Sequence, residues 1–276
     1  MSGAPRRLVL LGHPVAHSLS PAMQNAALEA LALPLRYEAL DIPPAGLDAA
    51  LDALIAEHAA GNVTLPHKGR VAARCHRLSD RAARAAAANV FWVEDGRLAG
   101  DNTDIPAFAS LVQQLLGAPP TPRRVALLGA GGAAAAVLVA AEAWPGTQVV
   151  LHNRSADRAA ALAARFPVVE RIAATADDAV RGADLVVNAT SLGLRDADAL
   201  PVAIDRLPAG AVLVDLVYRR GGTAWITAAT GAGHAAADGL AMLLEQGALA
   251  FERWFGRPAP RAVMREALVR QAGARR

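Results

Sequence analysis

Ammonium groups are nearly missing from this chain: of its 28 Lys and Arg residues, Lys68 alone is lysine. A guanidinium keeps its charge near neutral pH and cannot hand over a proton, whereas a lysine can be tuned to do so. That makes Lys68 a candidate acid or base, set against the plain reading of one surface lysine left by compositional drift. Cysteine is as scarce. The single Cys75 excludes an internal disulfide and a cysteine metal cluster, and predicts a reducing compartment. The histidines show no H-E-x-x-H spacing, so no metal is expected. Long apolar runs are absent too, since Leu8–Leu11 is far shorter than a signal-peptide core or a membrane span. Basic residues are scattered, the net charge is only +3, and no basic–aromatic interleaving marks a nucleic-acid surface. The expectation is a cytoplasmic protein with a small-molecule substrate and neither a membrane nor a nucleic-acid partner.

What is present is core material. The chain is 54% hydrophobic and 19% charged over 276 residues, which predicts an ordered protein of two domains. Leu8–Leu11 reads as a first strand. Ser20-Pro21 reads as a helix start, with Ser20 the cap and the helix running to about Leu31. Tyr37–Leu40 reads as a strand, Leu47–His58 as a helix and Gly61–Leu65 as a third strand, with Pro66 opening the next helix. Alanine-rich 82–88 and 133–141 read as helices. Asn89–Val93 and Arg97–Gly100 flank Asp95-Gly96, a hairpin turn. Gly117–Pro122 is the clearest linker.

Beyond the linker, Val125–Leu128 runs into Gly129-Ala130-Gly131-Gly132-Ala133 and an alanine-rich helix. This is the strand, glycine turn and helix of a dinucleotide-binding unit, in which a pyrophosphate sits on the helix N-terminus. After the second strand, Gln148–Leu151, an NAD enzyme tends to place a carboxylate for the ribose 2′-hydroxyl. Here Asn153-Arg154-Ser155 offers a guanidinium suited to a 2′-phosphate, so NADP is favoured. Further strands, Leu185–Val187 and Val212–Val217, end in Asn188-Ala189-Thr190-Ser191 and Tyr218. Ala241–Phe255 reads as the final helix. The glycine turn lies near mid-chain, so the first hundred-odd residues form a separate domain for the substrate.

In this order the motifs resemble the shikimate dehydrogenase family over nearly the whole chain. The residues that carry the likeness are Gly12–Pro21, Asn62–Lys68, Asn102-Thr103-Asp104, the glycine turn, Asn153–Ser155, Asn188–Ser191, Tyr218 and Asp238–Gln246. The resemblance implies reversible NADPH-dependent reduction of 3-dehydroshikimate to shikimate, serving aromatic amino-acid synthesis. It implies Lys68 and Asp104 as the catalytic pair, with Ser18, Ser20, Thr64, Asn89, Tyr218 and Gln246 around the substrate. It extends the NADP contacts to Thr190, Ser191, Gly239 and Met242. The chain departs from the family pattern at Gln24-Asn25, Val90 and Arg219-Arg220. Quinate or an aminated analogue is the alternative substrate. A non-catalytic cofactor-binding protein is disfavoured by the Lys68 and Asp104 pair, and a methylene-tetrahydrofolate dehydrogenase by the Ser18/Ser20 loop. The expected architecture is α/β. Residues 1–104 and 240–276 form a substrate domain with a mixed sheet, 105–239 form a doubly wound NADP domain, and the last helix returns to the first domain. A homodimer is left open as the assembly.

Overall fold

The computed structural model describes residues 4–117, 123–219 and 221–273. The expected linker beyond Gly117 and the departure at Arg220 lie outside them. The chain divides into two compact units, Met1–Asp104 with Leu243–Arg276, and Ile105–Met242.

The first unit is built from β1 (Arg7–Gly12), α1 (Ser20–Ala30), β2 (Tyr37–Asp41), α2 (Leu47–Ala56), β3 (Ala59–Val63), α3 (Lys68–Arg74), β4 (Arg77–Leu78), α4 (Asp80–Ala85), β5 (Val90–Glu94) and β6 (Arg97–Asp101). Its sheet runs β2-β1-β3-β5-β6-β4. The β1–β2, β1–β3 and β4–β6 pairs are parallel, and β3–β5 and β5–β6 antiparallel. The apolar run of β1 is flanked by partners on both sides and wholly buried, as a central strand requires. Asp95 and Gly96 both take positive φ, 51° and 70°, the geometry of a two-residue hairpin turn. Val9, Leu11, Leu51, Leu54, Phe91 and Val93 share one core cluster.

Several expected boundaries move. The third strand spans Ala59–Val63 rather than 61–65, because Thr64 to Pro66 turn away and Pro66 has no N–H for a ladder. Helix α3 begins at Lys68 with His67 as its N-cap, not at Pro66. Ser20 does not cap α1. It is the first helical residue, and Ser18 Oγ accepts its N–H at 3.2 Å. The 82–88 helix stops at Ala85, since Ala86 turns left-handed (φ 49°) to deliver Asn89 and Val90 to the sheet.

The second unit begins in α5 (Asp104–Leu116) and continues with β7 (Arg124–Leu128), α6 (Gly132–Glu142), β8 (Gln148–His152), α7 (Ala156–Ala163), β9 (Val169–Ile172), α8 (Ala176–Ala179), β10 (Leu185–Asn188), β11 (Val212–Asp215), α9 (Ala224–Gly231) and β12 (Ala236–Ala237). All its strands are parallel, in the order β12-β11-β10-β7-β8-β9. Renumbered within the unit this is 6-5-4-1-2-3, the doubly wound order whose switch point lies between the first and fourth strands. Trp225 of α9 is buried beneath the sheet and donates to Val202 O at 3.0 Å.

Helix α10 (Gly239–Phe255) carries the chain back into the first unit. There Trp254 Nε1 donates to Phe91 O at 3.3 Å. It is not the final helix. α11 (Arg261–Gly273) follows and packs along α1.

Candidate active site

Lys68 stands at the first position of α3, and Asp104 at the first position of α5, directly after β6. Lys68 Nζ donates to Asp104 Oδ2 at 2.7 Å, and the two side chains are 16% and 8% exposed. The pair is therefore sheltered yet reachable. Asn89, fully inside at the start of β5, donates through Nδ2 to Asp104 Oδ1 at 2.8 Å. The same amide nitrogen lies 3.0 Å from Thr103 Oγ1 and 3.2 Å from Gln246 Oε1. Thr103 donates its N–H to Asn89 Oδ1 at 2.7 Å and its hydroxyl to Gln246 O at 3.0 Å. Asn102 Oδ1 accepts the Asp104 N–H at 3.1 Å. Both carboxylate oxygens of Asp104 are thus engaged, one by charge and one by a buried amide. The side chain has one orientation available to it.

Of the expected substrate residues, the structure brings Lys68, Asp104, Asn89 and Gln246 into this one hydrogen-bonded group. Ser18 and Ser20 lie at the start of α1, in the same unit. Thr64 follows β3, half-buried, with its N–H on Leu11 O. Its methyl explains Gly12: a Cβ there would stand 2.3 Å from Thr64 Cγ2. Among the described residues no hydrogen bond joins these three to the Lys68 group. Tyr218 belongs to the second unit, half-buried in the loop after β11. Sequence reasoning passed over Thr103 as a site residue, although two polar neighbours beside Asp104 were the available signal. One residue before Asn102, Asp101 is buried outside this group. Burial opposes that carboxylate, yet hydrogen bonds from Arg81 and Ser79 hold it below the usual range.

In the second unit the turn after β7 fits a dinucleotide. Gly129 has φ 114°, and a Cβ on it would meet Ala189 O at 2.7 Å. The turn therefore approaches the β10 loop across the switch point as only glycine can. A Cβ on Gly131 would meet nothing within 4 Å, and α6 begins there without a side-chain cap. Open space before an uncapped helix N-terminus is what a pyrophosphate needs. Ala130, Gly132 and Ala133 complete the turn. At the end of β8, His152, Asn153 and Arg154 line a cavity of about 500 Å³ with Ala156 and Ile172–Ala174. Arg154 is exposed, and Ser155 caps α7 by accepting from Arg158 N at 3.4 Å. Thr190 follows β10, half-buried, with exposed Ser191 beside it. Gly239 and Met242 are buried in the first turns of α10. Gly239 allows close packing, since a Cβ there would lie 2.5 Å from Leu216 O.

Two buried polar residues of this unit lie beneath these loops, Asn188 from a motif already noted and Asp215 from none. Asn188 and Asp215 end β10 and β11 as register partners, both fully buried and hydrogen bonded at 2.8 Å. Burial pushes the Asp215 carboxyl up to about 6, against hydrogen bonds from Val217, Thr223 and Asn188. Asp215 Oδ2 has no partner of hydrogen-bonding geometry among the described residues.

Comparison with known proteins places these features in a family context. The family model described as the shikimate dehydrogenase substrate binding domain matches residues 10–91. That of the shikimate 5'-dehydrogenase C-terminal domain matches 239–269, and that of NADP oxidoreductase, coenzyme F420-dependent, matches 124–219. The chain is 43% identical over 268 residues to the shikimate dehydrogenase (NADP(+)) of Methylobacterium radiotolerans, covering 95% of each protein. It is 40% identical to shikimate 5-dehydrogenase from Thermus thermophilus, solved in complex with NADP(H) and shikimate, with a TM-score of 0.85 over 96% of this chain and 99% of that one. Quinate dehydrogenase from Corynebacterium glutamicum, solved with NAD, has the same TM-score of 0.85 at 26% identity, covering 97% and 99%.

Proposed function

Because this chain belongs to the shikimate dehydrogenase family, we propose that it reduces 3-dehydroshikimate to shikimate reversibly, with Lys68 and Asp104 as its acid/base pair. It is an NADP-dependent oxidoreductase. In this reading 1–104 and 240–276 take the substrate and 105–239 take NADP. The observation that carries it is the 2.7 Å contact between the chain's one lysine and a buried carboxylate fixed by Asn89.

NADPH, when bound, supplies the hydride. The remaining work belongs to side chains. As the carbonyl oxygen gains charge, the Lys68 ammonium donates a proton to it and is left as the neutral amine. In the oxidative direction the neutral amine takes the hydroxyl proton. Asp104 accepts hydrogen bonds from both Lys68 and Asn89, so it orients the ammonium and offers an acceptor to a ring hydroxyl. Asn89 and Gln246 add neutral donors and acceptors for a polyhydroxylated ring. Ser18 and Ser20 stand at the start of α1, where hydroxyls and the helix dipole favour a carboxylate. Gly129–Ala133 receive the pyrophosphate and Arg154 the 2′-phosphate, with Asn153 and Ser155 beside it. Thr190, Ser191, Tyr218, Gly239 and Met242 complete the ligand contacts.

Quinate is the second reading, favoured by the TM-score of 0.85 to a quinate dehydrogenase. Steady-state rates with shikimate, quinate and aminoshikimate, each with NADP and with NAD, provide the test. The expected result is the highest kcat/KM for shikimate with NADP. Faster turnover of quinate with NAD would overturn the substrate assignment.

A further inference from the structure

Strands β11 and β10 are neighbours, as are β12 and β11; β10 and β11 each end in, and β12 is followed by, a side chain that accepts from a backbone N–H two residues on. Asn188 Oδ1 accepts from Thr190 N at 3.1 Å and from Thr190 Oγ1 at 2.6 Å. Asp215 Oδ1 accepts from Val217 N at 3.0 Å, and Asp238 Oδ1 from Leu240 N at 3.0 Å. The first two are joined into a single device. Asn188 Nδ2 donates to Asp215 Oδ1 at 2.8 Å and to Leu192 O at 3.0 Å. Leu216 N donates to Asn188 O at 2.9 Å. One buried amide–carboxyl pair therefore sets two loops at once, the loop with Thr190 and Ser191 and the loop that runs to Tyr218.

We propose that Asp215 is a positioning residue for the nicotinamide half of NADP, holding through Asn188 the Thr190–Gly193 and Leu216–Tyr218 loops in the arrangement that receives it. The sheet order assigns the half. The glycine turn leaves from β7, at the centre. Arg154 and the cavity at the β8 end lie to one side, and β10, β11 and β12 lie to the other. A dinucleotide straddling the switch point therefore lays its 2′-phosphoadenosine toward β8 and its nicotinamide toward β10 and β11. Asp215 touches neither half. A hydrocarbon side chain would fill its place at lower desolvation cost, so what the carboxyl adds is an acceptor fixing a donor.

The inference rests on NADP use and is independent of the proton chemistry assigned to Lys68. Titration calorimetry on the whole chain, with NADPH and with adenosine 2′,5′-bisphosphate, separates the two halves of the cofactor. Breaking one buried hydrogen-bonded pair in Asp215→Ala should weaken NADPH about tenfold and change the bisphosphate by less than about twofold. Asp215→Asn keeps the Oδ1 acceptor and should return NADPH to within about threefold of the parent. Equal weakening of both ligands, unchanged NADPH binding in Asp215→Ala, or no rescue by asparagine would each overturn the proposal. Should the alanine variant not melt cooperatively, Asp215→Ser, too short to reach Asn188, carries the same expectations. Loss of turnover in a Lys68 variant moves none of these constants, so the two readings fail separately.

Discussion

Asp104 is held by one charge and one amide, and the proposed proton transfer uses the charge. Lys68→Ala removes the proposed proton donor and leaves a carboxylate 8% exposed without its ammonium. Turnover should fall about 10²–10⁴-fold, the usual contribution of a positioned acid or base, while NADPH binding by calorimetry stays as in the parent. Shikimate oxidation at near the parental rate would remove Lys68 from the proton transfer. Asp215 makes a different prediction. Its carboxyl titrates near 6 in the folded chain and near 4 when unfolded, so the native state binds more protons between those values. Its contribution to stability is present below about pH 4 and is lost as pH rises through 6, worth up to about 3 kcal/mol. Urea melts at pH 4.5 and 7.5 should show that loss shrinking in Asp215→Asn, and an identical pH dependence in both proteins would refute it. Lys68 was legible because composition singles it out, and Asp104 because a motif carries it. Asp215 was not, because its meaning is burial and a partner, Asn188, that lies 27 residues earlier in the chain.

At the scale of elements, the turn after β7 is the most constrained. Gly129→Ala would place a Cβ in the left-handed region and 2.7 Å from Ala189 O. A cost of about 1–3 kcal/mol is expected from the backbone alone, with weaker NADPH binding, read by thermal melting and titration of the same sample. A variant that melts and binds like the parent would show that the approach relaxes freely. The glycine turn was readable because strand, turn and helix follow one another within a few residues. Element ends were less so. Ala82–Ala88 has helix propensity throughout, but the hydrogen bond from Ala88 N to Lys68 O at 3.0 Å belongs to tertiary structure and overrides it. Ser20 enters α1 rather than capping it for a similar reason, since Leu19 takes the N-cap position and Ser18 Oγ accepts the Ser20 N–H, a choice that only the chain path makes. Helix α11 went unread because its sequence is polar on average and its helicity depends on packing against α1, some 240 residues away.

At the scale of the whole molecule, the division in two follows from a glycine turn near mid-chain, and the parallel order of the second sheet from its alternating strands and helices. The mixed order of the first sheet is not written in any local pattern, since β5 enters antiparallel to β3 and β4 reaches the edge beside β6. Saturation with NADP should stabilise the unit that binds it by mass action, about 2.7 kcal/mol at a hundred times Kd. Amide exchange in β7, β8 and β10 measures this, and no slowing there would contradict the assigned site. The chain leaves its first unit at Asp104 and re-enters it at Leu243, which sets an order of birth on the ribosome. Residues 105–242 emerge as an unbroken stretch, free to fold as a domain while synthesis continues. Meanwhile α1 waits for α11, and Thr103 for the Gln246 carbonyl. The nascent protein can hold its cofactor fold before the group around Lys68 is complete, so the proposed proton-transfer group is the last part to be assembled.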